Sequence, residues 1–106
     1  MAVRATSLED RIMAHSFLVH FPDDVVGVAV TDIEPGPEVP GKIQTNGEVS
    51  TLQVLDPVPL GHKIALRDLT AGERVIKYGV PIGVATRDIR AGEHVHVHNL
   101  KGERWV

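Results

Sequence analysis

Cysteine is absent from the 106 residues, so the chain has neither a disulfide nor a thiolate nucleophile or thiolate metal ligand. Aromatic residues make up only 4% of the chain against 42% apolar residues, and the core must therefore be built from Val, Ile, Leu and Ala. Branched aliphatic side chains suit a pleated surface, so this composition favours β-structure. Cations do not gather into a run: 11 Lys and Arg are interspersed with 14 Asp and Glu, for a formal net charge of −3. Without clustered cations to neutralise phosphates, nucleic acid is not an expected partner. No apolar run approaches the roughly 20 residues of a membrane-spanning helix, and MAVRATSLED is too charged for a signal peptide. These absences point to a soluble, cytoplasmic chain with no membrane contact. One domain is expected, since domains commonly run to about 100–150 residues.

What is present reads as short strands punctuated by turns. Ser7 with Asp10 three residues later resembles a capping box, which predicts a short helix over Leu8 to His15 within an N-terminal arm, residues 1–15. From residue 16 to residue 106 the pattern predicts one mainly β domain. SFLVH reads as a strand, FPDD as a turn and VVGVAV as a buried strand. Residues Glu34 to Gly47 hold three prolines and three glycines and read as loop. TLQVL, HKIALRDL, RVIKYGVPIGVA and HVHVHNL follow as four further strands, with DPVPLG as a turn.

A motif recurs three times: DIEPGPEV (32–39), DLTAGERV (68–75) and DIRAGEHV (88–95). Asp accepts backbone hydrogen bonds at a turn, Ile or Leu plugs the core, Gly supplies a positive φ and Val resumes the strand. The intervals are unequal, so this is a corner reused within one folded-over unit and not a solenoid. Nothing in the motif itself implies catalysis.

Chemistry is concentrated in HVHVHN, residues 94–99. On a strand, His94, His96 and His98 share one face while Val95 and Val97 face the core. Adjacent members then lie about 7 Å apart and the outer pair about 13 Å apart. Metal–nitrogen bonds are about 2.0–2.1 Å, so two neighbours can lean onto one ion but three in file cannot. Metal ligation by His94 and His96 would need further ligands from His62 or a partner. Substrate contact or proton transfer and a solvated interface face are the other readings. His62 and Lys63 stand at the mouth of a strand, where His62 either caps the turn or serves function. Lys77 and Tyr78, followed by glycine, combine a cation and a hydroxyl suited to gripping a carboxylate, though the tyrosine ring could equally be packing. Trp105 is expected to cover an apolar patch.

GHKIALRD, IKYGVPIG and GEHVHVHN, in that order, together with SFLVHFPDDVVGVAVTDI, resemble the SAF domain of the altronate and galactarate dehydratase family, which includes the small subunit of sulfolactate sulfo-lyase. The likeness runs over roughly residues 16 to 105; the arm before Ser16 and the Pro- and Gly-containing insert around 34–50 depart from it. It implies a β-clip fold, a long bent hairpin folded on itself. It also implies a lyase that removes water or sulfite from the β-position of a hydroxy acid with a divalent metal, iron being the expected one, held mainly by a large catalytic subunit. A domain this small would complete that partner's site, and a homo-oligomer is compatible with such an assembly. The resemblance moves His96 and His98 toward catalysis, with His62, Lys63, Lys77, Tyr78 and Asn99 as substrate contacts. The alternative is a non-catalytic SAF module that recognises a carbohydrate or a protein partner.

Overall fold

The computed structural model describes residues 15–102; the expected helix at Leu8 to His15 and the cover by Trp105 lie outside them except for His15, which is not in a helix. The described residues form nine strands and no helix. These are β1 (Phe17–Val19), β2 (Val26–Ala29), β3 (Gly36–Ile43), β4 (Val49–Val54), β5 (Lys63–Ala65), β6 (Arg74–Lys77), β7 (Val80–Ala85), β8 (His94–Val95) and β9 (Leu100–Gly102). Six of them form one sheet in the order β4-β3-β1-β2-β5-β8, and the other three form a second in the order β6-β7-β9. The Val25 N–H donates to the Ile76 carbonyl at 2.9 Å and ties the two sheets together. The mainly β class expected from composition is what the structure shows.

Two aliphatic clusters make the core. One gathers Val25, Val26, Ala65, Leu69, Val75, Ala85, Ile89 and Val95 between the sheets, and the other gathers Phe17, Val19, Ala29, Ile33, Val54, Val58 and Ile64. Phe17 is the only aromatic ring among them, as the composition required.

The corners are the clearest link from sequence to architecture. Ala71 N–H donates to Asp88 Oδ1 and Ala91 N–H to Asp68 Oδ1, each at 2.9 Å, so the second and third copies of the motif hold each other. Leu69 and Ile89 exchange both backbone bonds between them. Within each copy a glutamate closes the turn: Thr70 N–H donates to Glu73 Oε1 at 3.0 Å and Arg90 N–H to Glu93 Oε1 at 2.8 Å. Glu73 is also paired with Arg67, and these contacts hold its carboxyl below the usual range.

The first copy, DIEPGPEV, is not a corner. Asp32 and Ile33 play their expected parts, but Gly36 lacks a positive φ and opens β3. The reason is chemical: Pro35 and Pro37 stand where Ala71 and Glu73 use their N–H groups, and proline has none to give. The matching corner is PVPLGHKI, residues 57–64, where DPVPLG reads from sequence as a simple turn and HKI as the start of a strand. Leu60 N–H donates to Asp32 Oδ1 at 2.9 Å, Ile33 and Val58 exchange backbone bonds, and Gly61 has φ +85. Here Pro59 occupies the place of Thr70 and Arg90 and brings no N–H to be capped. A closing glutamate is therefore unnecessary, and His62 stands in its place.

Residues Glu34 to Gly47 are also not a loop throughout. β3 runs parallel to β1 and antiparallel to β4, with a bulge between Gly36 and Val39 that takes up Pro37. Pro40 contributes its carbonyl, which accepts the Ser16 N–H at 2.8 Å. Gly41 earns its place by close approach, since a Cβ there would sit 2.1 Å from the Phe17 ring. Counting prolines and glycines concealed a strand in which Pro37 fits the bulge and Gly41 admits the Phe17 ring.

RVIKYGVPIGVA is two strands and not one. Lys77 pairs with Val80, leaving Tyr78 and Gly79 as a two-residue hairpin turn with φ values of +56 and +72. That is the primed turn that suits strand twist but normally selects Asn-Gly. Asp24, buried at 5% exposure, accepts the N–H groups of Tyr78 and Gly79 at 2.9 Å each and of Phe21 at 3.2 Å. Removing the carboxylate strands three backbone donors, each costing about 1–3 kcal/mol where buried. Asp24→Ala is expected to lower the melting temperature by 10 °C or more, at about 4–8 °C per kcal/mol for a domain of this size. Asp24→Asn, which keeps one acceptor oxygen, is expected to lose less, and thermal denaturation of the two variants checks the order.

Candidate functional site

β8 ends at Val95, so HVHVHNL is not a single strand. Asn99 is the cause. It is 4% exposed, its Nδ2 donates to the His94 carbonyl at 2.8 Å, and its Oδ1 accepts the His96 N–H at 2.9 Å. The His96 carbonyl accepts the N–H groups of Asn99 and Leu100, and the chain turns back into β9. Val97, expected in the core, is 83% exposed at the tip. Asn99 thus lies beneath the histidine turn, with both side-chain polar atoms on backbone, and not at a surface where a substrate would meet it. An asparagine after a polar run is a turn signal, and this one was legible.

The turn changes what the histidines can do. β5 and β8 run antiparallel with Lys63 opposite Val95, so His62 and His96 face each other one step beyond the last pair. Their rings stack with centroids 3.9 Å apart and planes 19° from parallel. His94 joins them: its Nε2 is 2.7 Å from His62 Nδ1, and its ring centroid is 5.7 Å from that of His96. One nitrogen from each of His62, His94 and His96 lies within 4.8 Å of the other two. His98 is exposed, stands outside that trio and packs its ring 5.1 Å from His94.

Burial, then the neighbouring His62, His98 and His96, hold the His94 imidazole below its ordinary pKa, against the pull of Asp56. The Asp56 carboxylate itself accepts the His94 backbone N–H at 3.0 Å. Among the described residues no carboxylate hydrogen-bonds a ring nitrogen of His62, His94, His96 or His98. The group is therefore a set of imidazole nitrogens with no carboxylate bonded to any of them. Such a donor set fits iron, zinc, cobalt or nickel and suits magnesium or calcium poorly.

His96 also lines a cleft of about 590 Å³ with Lys63, Lys77, Tyr78, Ile82, Val97 and Leu100. The expected contacts Lys63, Lys77 and Tyr78 are thus brought to one cavity with His96, while His62 stands behind it. The Lys77 Nζ lies 3.3 Å from the centroid of the Tyr78 ring, and the His20 ring packs against the same tyrosine at 4.5 Å. Two ammonium groups beside an imidazole and a phenol are chemically suited to a small anion. Asp24, which aims Tyr78, was missed in sequence, because FPDD reads as a local turn and its hairpin lies 54 residues away.

The family model for the altronate/galactarate dehydratase SAF domain matches residues 15–103. The chain belongs to that SAF-domain family. The alpha subunit of (2R)-sulfolactate sulfo-lyase from Chromohalobacter salexigens is 47% identical over 94 residues, covering 88% of this SAF chain and 100% of the relative. The corresponding alpha subunit from Paracoccus pantotrophus is 52% identical over 48 residues, 45% of this chain and 72% of that one. Altronate dehydratase of Escherichia coli is 46% identical over 78 residues, which are 74% of the SAF chain but only 14% of that enzyme. No helix among the described residues is long and apolar enough to cross a membrane.

Tyr78 sits at φ +56, where a tyrosine side chain is strained. A non-glycine residue at positive φ costs about 1 kcal/mol or more, and Asn is better tolerated there. Tyr78→Asn is expected to leave the melting temperature unchanged or raised, while weakening retention of a small carboxylic acid in the cleft. Differential scanning calorimetry and ligand-detected NMR check the two halves of that expectation.

Proposed function

We propose that this chain is the small subunit of a lyase that removes water or sulfite from the β-position of a hydroxy acid, and that it completes the active site of a large catalytic subunit. The observation that carries this reading is full-length similarity to the sulfo-lyase alpha subunit, joined to a histidine-lined cleft with two lysines. The reaction needs a base for the proton beside the carboxylate, cationic groups to steady enolate-like charge, and an acid or Lewis acid for the leaving group. In this reading Lys63 and Lys77 hold the carboxylate or sulfonate of the substrate. His96, at the cleft wall, moves the proton, and His98, exposed beside His94, meets the partner's side of the site. A divalent metal, when bound, supplies Lewis-acid stabilisation of developing negative charge.

Co-purification with the large subunit, followed by assays on sulfolactate, altronate and galactarate, tests the proposal. Sulfite release or keto-acid formation that appears only with both chains is the expected result. Failure of the chain to associate with that subunit, or turnover unaffected by its presence, would overturn it.

A further inference from the structure

We infer that His62, His94 and His96 form a three-imidazole site that holds one late first-row divalent transition ion on this chain itself. The inference goes beyond the lyase reading, because it concerns the isolated chain and needs no ligand from a partner.

The nitrogen positions carry it. Ligands about 2.0–2.1 Å from one ion lie about 3.0 Å apart at right angles and about 3.4 Å apart in a tetrahedron. The His62 Nδ1 to His94 Nε2 separation of 2.7 Å is slightly shorter than that range, and 4.8 Å bounds the separations within the trio from above, so small ring rotations bring both into it. All three residues are half-buried, so their rings are free to turn by the small amount that convergence requires. The backbone is not free to drift: β5 and β8 pair at Lys63 and Val95, Asp56 holds the His94 N–H, and Asn99 holds both sides of Val95. Rigid backbone with adjustable rings is the arrangement a metal site uses.

The corner chemistry explains how the site arose. A glutamate closes the corners at 69–75 and 89–95, but Pro59 removes the N–H that such a glutamate would cap, and position 62 carries an imidazole instead. Of the three imidazoles, His96 also lines the cleft that holds Lys63 and Lys77, so the site borders that cleft.

The test uses the tag-free 106-residue chain, stripped with chelator and titrated with Zn²⁺ by calorimetry and with Co²⁺ by visible absorption. One ion per chain is expected, with Co²⁺ d–d bands, while Mg²⁺ and Ca²⁺ give no saturable heat. Long-range ¹H–¹⁵N spectra should show the ring nitrogens of His62, His94 and His96 shifting and those of His20 unmoved. Each of His62→Ala, His94→Ala and His96→Ala should weaken binding by about tenfold or more, and His98→Ala by less than about threefold. No saturable binding by the chain alone, or shifts confined to other histidines, would overturn the inference. The wild-type spectra decide it even if a variant fails to fold. Metal binding without any effect on a partner's turnover would sink the lyase reading and leave this one standing.

Discussion

Gly92→Val is expected to abolish stable folding, whereas the same change at Gly72 should only weaken it. The two glycines hold the same place in sister corners, with φ values of +90 and +89. Valine at such a φ costs about 1–3 kcal/mol wherever it is placed. The surroundings differ. A Cβ at Gly72 meets nothing within 4 Å, but one at Gly92 would sit 2.0 Å from the Gln53 carbonyl oxygen and 3.3 Å from the Val54 Cα. Both obstacles are β4 backbone and cannot swing aside as a side chain would. Gly92 is moreover bonded on both sides, donating its N–H to the Ala65 carbonyl at 2.8 Å and accepting the Leu55 N–H at 2.9 Å. Moving it would break the junction of β4 with the β5 end of the sheet. Since domains are stable by only about 5–15 kcal/mol in all, the sum should leave Gly92→Val largely insoluble or without a cooperative melt. Gly72→Val should melt about 5–15 °C below wild type. Equal effects at the two positions would show that φ alone matters, and an unchanged melting temperature at Gly92 would refute the corner account.

The same contrast explains how far the sequence could be read. Local chemistry was visible: the repeated DLTAGERV and DIRAGEHV corners, the aliphatic strands at 17–19 and 26–29, and the turn between them. Where the meaning of a residue depends on a distant partner, the reading failed. Gly41 counts as a loop residue until Phe17 is known to press on it, and Pro37 counts as a breaker until β4 supplies a bulge to hold it. Tyr78-Gly79 hid a hairpin because the usual Asn-Gly pair is absent and Asp24, far away in sequence, supplies the missing support. The histidines followed the same rule. Their residue types announced a site, but alternation suggested a straight file along one strand. Asn99 bends the chain after Val95, and the Pro59 corner delivers His62, so the file becomes a cluster.

His96 occupies the one position that belongs to both halves of the site, stacked on His62 and lining the cleft with Lys63 and Lys77. In the proposed two-subunit lyase, with His96 moving the proton, His96→Ala is expected to lower kcat by about 10²–10⁴-fold, the range that positioned proton transfer contributes. The fold should survive, because the hydrogen bonds that shape the turn use His96 backbone atoms and Asn99, not the imidazole. Circular dichroism and co-purification with the large subunit check that separately from activity. Lys77→Met offers the contrast: in the proposed reading its ammonium holds the substrate carboxylate in ground and transition states alike, so the loss should fall mainly on KM. If His96→Ala raised KM and spared kcat, the imidazole would be a binding group and proton transfer would lie with the partner. Full activity in His96→Ala would remove the histidine cluster from the reaction altogether, and the SAF chain would then act on its partner through surface contact alone.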